Sequence, residues 1–317
     1  MDRVREVVVE APASSANLGP GYDVLALALQ GPLDTLVLRR EEGNRKGISL
    51  AAVEGLRAPP KAADNVAGAV VARIAEDHGI VSGISMKLRK EVPVGVGLGS
   101  SAASSVCAVV GMNELFGLRL SAKEALEYAG LGEEFASGAR HYDNVAASML
   151  GGVVIVRSTT EPEVTRIGVP SGIGLCAVTP RVSLPKRKTE FARSLVPKTV
   201  TMEDVIRNVS MAASLVLGFK TGDAGLVGKG MHDFVVEPPR SEMIPGYGRV
   251  RERALGSGAA GVCISGAGPT MLAVFNRREA SGGRIIRAMV SAFKEEGVRA
   301  SGFESQVGGG ARVAGKK

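Results

Sequence analysis

The stretch Pro93-Val94-Gly95-Val96-Gly97-Leu98-Gly99-Ser100-Ser101-Ala102-Ala103-Ser104-Ser105 limits this chain more than any other segment. Ahead of it, Ile84-Ser85-Met86-Lys87-Leu88 alternates apolar and polar residues as a half-buried strand does. Behind it, Val106, Val109, Val110 and Asn113-Glu114-Leu115 continue at helical spacing. A glycine-rich turn is therefore expected to run from a strand into a helix N-terminus. The first N–H groups of a helix lack intrahelical partners and the macrodipole adds partial positive charge there, so an anion is favoured. Gly95, Gly97 and Gly99 remove Cβ atoms that would hold a polyphosphate off the backbone. Ser100, Ser101, Ser104 and Ser105 add hydroxyls for phosphate oxygens or a metal, and they suit an N-cap. A Walker A loop is excluded, because no lysine lies between Glu91 and Lys123; a G-x-G-x-x-G dinucleotide fingerprint is excluded, because Gly97 is followed by Gly99 and then serines. A flexible glycine turn capped by serine is the plain structural alternative.

An anionic small ligand agrees with the formal charge of +7. Nucleic acid is disfavoured as a partner: the basic residues are dispersed apart from Lys186-Arg187-Lys188 and Lys316-Lys317, and eight Phe, four Tyr and no Trp leave few stacking platforms. At 317 residues the chain is long enough for two domains. Cys107, Cys176 and Cys263 are far apart in apolar surroundings, as reduced core residues of a cytoplasmic protein are. The N-terminus has no apolar signal region and no apolar run reaches membrane-spanning length, so neither secretion nor a membrane partner is expected. A homodimer is compatible with the sequence, which leaves the oligomeric state open.

Taken in order, Val4 to Ala11 is expected as a strand delivering a loop, Pro12 to Asp23, that holds Asn17 and Asp23. Either residue could be a ligand contact or a turn or cap residue bonding its own backbone. Asp64-Asn65-Val66 opens a helix that Gly79 stops, Gly117 ends the helix after the glycine loop, and Ser121 to Glu124 is a capping box. Around His141-Tyr142-Asp143-Asn144, an active site and a hydrogen-bonded turn both fit; Glu133, eight residues before His141, shares its face if the segment stays helical. Composition shifts at 158–162, dividing the chain into 1–160 and 161–317. The second part reads as strands, a basic segment Lys186 to Arg193 whose run Lys186-Arg187-Lys188 fits a solvated loop, helices at 202–219 and 223–235, and a stiff turn Glu237-Pro238-Pro239-Arg240. Two strands flank the turn Gly266 to Thr270, and a helix over 277–297 and a strand near 302–307 follow. That order suggests helices on a small antiparallel sheet. The tail from Gly308 to Lys317 is expected to be disordered.

Three segments together resemble the GHMP kinases, a family of small-molecule kinases: Pro12 to Asp23, Pro93 to Ser105, and Ile264-Ser265-Gly266-Ala267-Gly268-Pro269-Thr270. Within that family, Ser-Ala-Asn-Leu-Gly-x-Gly-Tyr-Asp around Asn17 and Asp23, His141-Tyr142-Asp143-Asn144-Val145 and Glu237-Pro238-x-Arg240 are most similar to the members that phosphorylate L-homoserine. Tyr22 stands where those members usually carry Phe. The resemblance covers nearly the whole chain. It implies a two-domain α+β GHMP kinase fold, with an N-terminal domain like ribosomal protein S5 domain 2 and a ferredoxin-like C-terminal domain. It further implies ATP at Pro93, Val94, Gly95, Val96, Gly97, Leu98, Gly99, Ser100, Ser101, Ala102 and Ala103, with Thr189 near the phosphates and Mg2+ on Ser100 or Ser101 and Glu133. For the acceptor it implies Asp23, His141 and Asp143 at the amino end, Arg193 and Arg240 on the carboxylate, and Asn17 and Asn144 at the attacking hydroxyl. Paired arginines suit a carboxylate and carboxylates suit an ammonium. Asp143 stands where mevalonate kinases in the family have a base. Phosphoryl transfer proceeds with little early proton transfer, so positioning by Asn17, Asp143, Asn144 and Arg193 is the favoured role. Mevalonate or shikimate as acceptor is the alternative.

Overall fold

The computed structural model describes residues 4–41, 46–158, 160–183 and 188–317. Strand β1 (Glu6–Asn17) runs antiparallel to β2 (Gly21–Arg40), a strand of 20 residues. Then follow β3 (Ile48–Gly55), α1 (Val66–Asp77), β4 (Ile84–Lys90), α2 (Ser100–Phe116), α3 (Ala122–Ser137), α4 (Asp143–Leu150), β5 (Val153–Ser158) and β6 (Glu163–Ile167). The second half holds β7 (Ile173–Pro180), α5 (Lys188–Ser194), α6 (Met202–Thr221), α7 (Ala224–Gly230), α8 (Glu237–Ser241), α9 (Tyr247–Leu255), β8 (Gly261–Ile264), β9 (Met271–Asn276), α10 (Gly282–Glu295), β10 (Ala300–Ser305) and β11 (Arg312–Lys316). Among the described residues no helix is long and apolar enough to cross a membrane.

Two sheets organise these elements. The first has the order β11-β1-β2-β4-β3, with β5 paired to the first half of β2 and β6 to β5; the second is antiparallel in the order β10-β7-β9-β8. Two sheets, each with its own helices, give the two-part α+β architecture that was expected. Helix α2 runs through the core of the first half and packs on β1, β2, α1, α3 and α4. Its residues are small or apolar on nearly every side, the composition of a helix with no solvent face. Gly117 ends it in the left-handed conformation, and Ser121 caps α3 with Glu124 closing the box.

Several expectations are corrected. Residues 12–17 are not loop, because β1 continues through them paired with β2, with register shifts between Pro12 and Ser14 and between Ala16 and Asn17, and only residues 18–20 turn. The tail is not disordered: β11 supplies the free edge of β1 with a partner, pairing Val9 with Val313 and Glu10 with Arg312. Salt bridges Arg312–Glu10, Lys316–Glu114 and Lys317–Glu6 line that edge. Residues 163–167 and 312–316 therefore lie on the first sheet, beyond the boundary placed at 160. Helix α7 stops at Gly230, short of 235, and α10 starts at Gly282 because Asn276 to Glu279 forms a hydrogen-bonded turn. Glu237 to Ser241 is a short helix with prolines at its start. Lys188 opens α5 rather than a solvated loop, while Lys186 and Arg187 lie outside the described residues.

Candidate active site

A cleft of about 290 Å³ opens where β1, the loop after β4, α2, α3, α4, α5 and α8 converge. Leu98, Gly99 and Ser100 carry the glycine loop into α2. The N-cap is Gly99 at φ 64°, with no side-chain hydrogen bond, so the expected serine cap is not formed and no side chain competes for the first-turn amides. The Ser100 hydroxyl donates to the Val92 carbonyl at 2.9 Å and Ser105 to that of Ser101 at 2.9 Å. Of the three glycines expected to leave room for phosphate, only Gly95 faces open space. A Cβ on Gly97 would lie 2.2 Å from the Ser265 carbonyl oxygen, and one on Gly99 would lie 2.0 Å from the Ser14 hydroxyl. Gly97 is therefore glycine because the Ser265–Gly268 turn packs on it. That turn braces both neighbours: Ser265 Oγ donates to the Gly97 carbonyl at 2.7 Å and shares a hydroxyl–hydroxyl hydrogen bond of 2.8 Å with Ser15 Oγ, and Gly266 N–H donates to the Ala16 carbonyl at 3.0 Å.

Under the loop lies a pair that sequence reasoning missed. Lys90 and Asp34 are both buried and form an ion pair; Lys90 Nζ also donates to the Ser100 carbonyl at 2.6 Å and to Ser104 Oγ at 2.9 Å. Asp34 Oδ1 accepts the Glu91 and Val92 N–H groups at 3.0 and 2.9 Å. The pair thus ties the end of β4 to the first turn of α2. A signal was present: Ile84, Met86 and Leu88 set the inward register of β4, and Lys90 is the next residue in it.

Glu133, on α3, reaches the end of the cleft that holds the glycine loop. It is buried, and its Oε1 has no hydrogen-bond partner. Burial pushes its carboxyl up to about 7, against a hydrogen bond from Ser101 and with a smaller upward contribution from Asp143. A buried carboxylate oxygen with spare valence beside two serines fits a hard divalent cation that takes most of its oxygens from phosphate and water. Among the described residues no group of three or more His, Cys, Asp or Glu side chains could hold a metal on its own.

The other end of the cleft carries the expected acceptor residues. Asn17 and Asp23 have φ of 71° and 58°, and Asn17 Oδ1 accepts the Asp23 N–H at 3.2 Å while its Nδ2 donates to the Gly266 carbonyl at 2.8 Å. Asn17 is therefore a brace between loops, with one amide hydrogen left for a ligand. Arg193 Nη2 donates to both Asp23 oxygens at 3.0 and 2.9 Å and to His141 Nδ1 at 3.0 Å. Its guanidinium and that of Arg240 lie 5.4 and 4.9 Å from the centre of the Tyr22 ring. Arg240 is buried on α8, and its Nε donates to the Ala192 carbonyl at 2.9 Å. Asp143 and Asn144 open α4: the Asn144 N–H donates to Asp143 Oδ1 at 2.7 Å, and the Asn144 side-chain oxygen accepts Ser14 Oγ at 2.8 Å. The helix break at Gly138 separates Glu133 from His141, so they share no helix face, yet both line the cleft. Thr189 and Lys188 enter from α5; Lys188 Nζ donates to the Gly268 carbonyl, and burial, then Arg240, lowers its pKa to about 8. Ala58, Pro59, Val66, Leu88 and Val94 form an apolar wall that the sequence did not reveal.

Burial raises Asp143 to about 6, with the Asp23 charge adding to it, and Glu237, the first residue of α8, to about 7. His141 is lowered by burial and by Arg193. An acid raised in the folded state keeps its proton where the unfolded chain has lost it. Its stabilising contribution is therefore full below the ordinary value of 4.5, or 3.8 for Asp143, and is lost as pH rises to about 7 and about 6. Glu133→Gln should accordingly gain thermal stability relative to the wild type between pH 5 and 7.5, and not below pH 4.5. Melting curves of both proteins across that range test this, and a difference independent of pH would contradict it.

Residues 65–152 match the family model of the GHMP kinases N-terminal domain, and residues 214–296 match that of the GHMP kinases C-terminal domain. A homoserine kinase of Natronomonas pharaonis is 41% identical over 308 residues, 97% of this chain and 99% of that protein. One of Thermoplasma volcanium is 42% identical over 273 residues, 86% of this chain and 85% of that protein. The crystal structure of homoserine kinase from Cytophaga hutchinsonii has a TM-score of 0.89 and 35% identity, covering 99% of this chain and 98% of that one.

Proposed function

The chain belongs to the GHMP kinases, ATP-dependent small-molecule kinases, and from that premise we propose that it is a homoserine kinase: it transfers the γ-phosphoryl group of ATP to the side-chain hydroxyl of L-homoserine, giving O-phospho-L-homoserine and ADP on the route to threonine. One observation carries the choice of acceptor. The cleft that holds the glycine loop also holds two arginines stacked on Tyr22 and the carboxylates of Asp23 and Asp143. A zwitterion with a hydroxyl at its far end fits that polarity.

Pro93 to Ala103 at the N-terminus of α2, with Thr189, would hold the phosphates of ATP, and the apolar wall would suit its base. Glu133, with Ser100 or Ser101, would hold Mg2+, which would neutralise charge on the phosphates. Arg240 grips the acceptor carboxylate, joined by Arg193 once it turns from Asp23; Asp23, His141 and Asp143 receive the ammonium. The free amide hydrogens of Asn17 and Asn144 hold the hydroxyl in line with the γ-phosphorus. The hydroxyl oxygen then forms the new P–O bond as the bond to ADP breaks, and its proton passes late to an oxygen of the transferred phosphoryl group and on to water. Little proton transfer is needed early in such a loose transition state, so orientation does most of the chemistry. The reaction belongs to the cytoplasm, where ATP and amino-acid precursors meet.

Steady-state ADP release with homoserine, mevalonate, shikimate and galactose, each with ATP and magnesium, tests the assignment. Homoserine should give the highest kcat/KM and omission of magnesium should abolish turnover. Faster turnover of mevalonate or shikimate, which have no ammonium for Asp23 and Asp143, would assign another acceptor.

A further inference from the structure

The glycine loop carries no cation of its own. No lysine occurs between Glu91 and Lys123, so the loop offers a triphosphate backbone N–H groups and hydroxyls, and Glu133 beside it adds a carboxyl rather than a positive charge. Three other cations of the cleft are already engaged. Lys90 lies under the loop in its ion pair with Asp34, Arg193 rests on Asp23, and Arg240 is buried on α8 with its Nε on the Ala192 carbonyl. A phosphoryl group in transfer carries charge on its outer oxygens, and a fixed cation aimed at them stabilises it.

Lys188 is the cation left over. It is the first residue of α5 and lines the cleft with Thr189 and Arg193. Its Nζ donates to the Gly268 carbonyl, and among the described residues no carboxylate pairs with it; the charge that acts on it is another cation, Arg240. An ammonium has three hydrogens, so two remain for a ligand. A cation withdrawn from water and faced by a second cation carries a cost that an anion entering the cleft removes. With its pKa lowered to about 8, the group still keeps most of its charge at neutral pH.

The carbonyl that holds Nζ also fixes where such an anion would lie. The Gly268 oxygen is packed against the glycine loop, 2.9 Å from where a Cβ on Gly97 would stand. Two residues earlier in the same turn, the Gly266 carbonyl accepts Asn17 Nδ2 at 2.8 Å and Arg240 Nη1 at 3.5 Å. Lys188 therefore meets the turn where it touches the loop, while Asn17 and Arg240 meet it from the acceptor end. The group that passes from one end of the cleft to the other has to cross beside this turn.

We propose that Lys188 is a further catalytic residue, whose ammonium holds the outer oxygens of the γ-phosphoryl group of ATP and neutralises their charge during transfer. No bond to Nζ forms and the ammonium keeps its protons. The acceptor oxygen makes the new P–O bond, the electron pair of the breaking bond stays with ADP, and the hydroxyl proton leaves through the transferred phosphoryl group to water. The inference rests on ATP-dependent kinase activity and not on the choice of acceptor, because the ligand it names is the phosphoryl group.

Titration calorimetry of Lys188→Met with ADP and with β,γ-imido-ATP, magnesium present and acceptor absent, reads the contact directly. Affinity for the imido analogue should fall about ten- to a hundredfold, while that for ADP should stay within about threefold and shows that the variant is folded. In the steady state kcat should fall about 10²–10³ with the acceptor KM within about threefold, and Lys188→Arg, which keeps a charge, should regain about tenfold of the lost kcat. Equal losses for ADP and the analogue would make the lysine a structural support of the loop and overturn the proposal. So would an unchanged kcat, or a raised acceptor KM with kcat retained. If homoserine proved not to be the acceptor, the two nucleotide titrations would still decide the role of Lys188.

Discussion

Lys90→Met is expected to lower the free energy of unfolding by about 3–5 kcal/mol, because it leaves the Asp34 carboxylate ionised in an interior that water does not reach. Both side chains are almost wholly covered, at 4% and 0% exposure, so screening by solvent gives little relief. The Glu91 and Val92 N–H groups and Ser104 stay bonded to the carboxylate and offset part of the loss. Adding Asp34→Asn to Lys90→Met keeps an oxygen for those N–H groups and removes the stranded charge, so much of the stability should return. Urea unfolding of the two variants and the wild type reads both effects. A loss below about 1 kcal/mol for Lys90→Met would show that the pair is not held dry. The same variant frees the Ser100 carbonyl, so the KM for ATP should rise as well.

Arg240→Leu is expected to raise the KM for homoserine by about ten- to a hundredfold, the loss of a charge-assisted bond of about 1.5–3 kcal/mol, while the KM for ATP hardly moves. Arg240→Lys keeps the charge but not the planar fork, and should fall between the two. An unaltered homoserine KM in Arg240→Leu would refute the carboxylate grip. Asp143→Asn belongs to the same set of measurements. A group that receives the substrate ammonium acts through homoserine KM, whereas a required general base would lose about 10²–10⁴ in kcat with KM little changed. We expect the first pattern. A collapse of kcat alone would assign Asp143 the proton and end the case for transfer by positioning.

Three short segments made the fold and the reaction class readable before any coordinates. The glycine loop is bounded by a strand of period two and a helix of small residues, and each signal is local, so Ile84 to Phe116 emerged in its expected order. Gly117 and the Ser121–Glu124 box were readable for the same reason: a cap is decided by residues within one turn of it.

What failed was long-range. Nothing near Arg312 announces a strand, because that strand exists only through pairing with β1, some three hundred residues earlier. Gly97 looked like room for phosphate, and only the Ser265 carbonyl packed against it shows that the space is filled by protein. The chain by itself named Asn17, Asp23, Glu133, Asp143, Arg193 and Arg240 as candidates only through the resemblance of its motifs to the family, since local pattern left Asn17 and Asp23 readable as turn or cap residues. Tertiary structure alone decided that Arg193 rests on Asp23, that Lys90 faces Asp34 and that Glu133 keeps an unpartnered oxygen. Burial and charge pairing arise from segments that meet only when the chain is folded, so the state of each group belongs to the fold and its identity to the sequence.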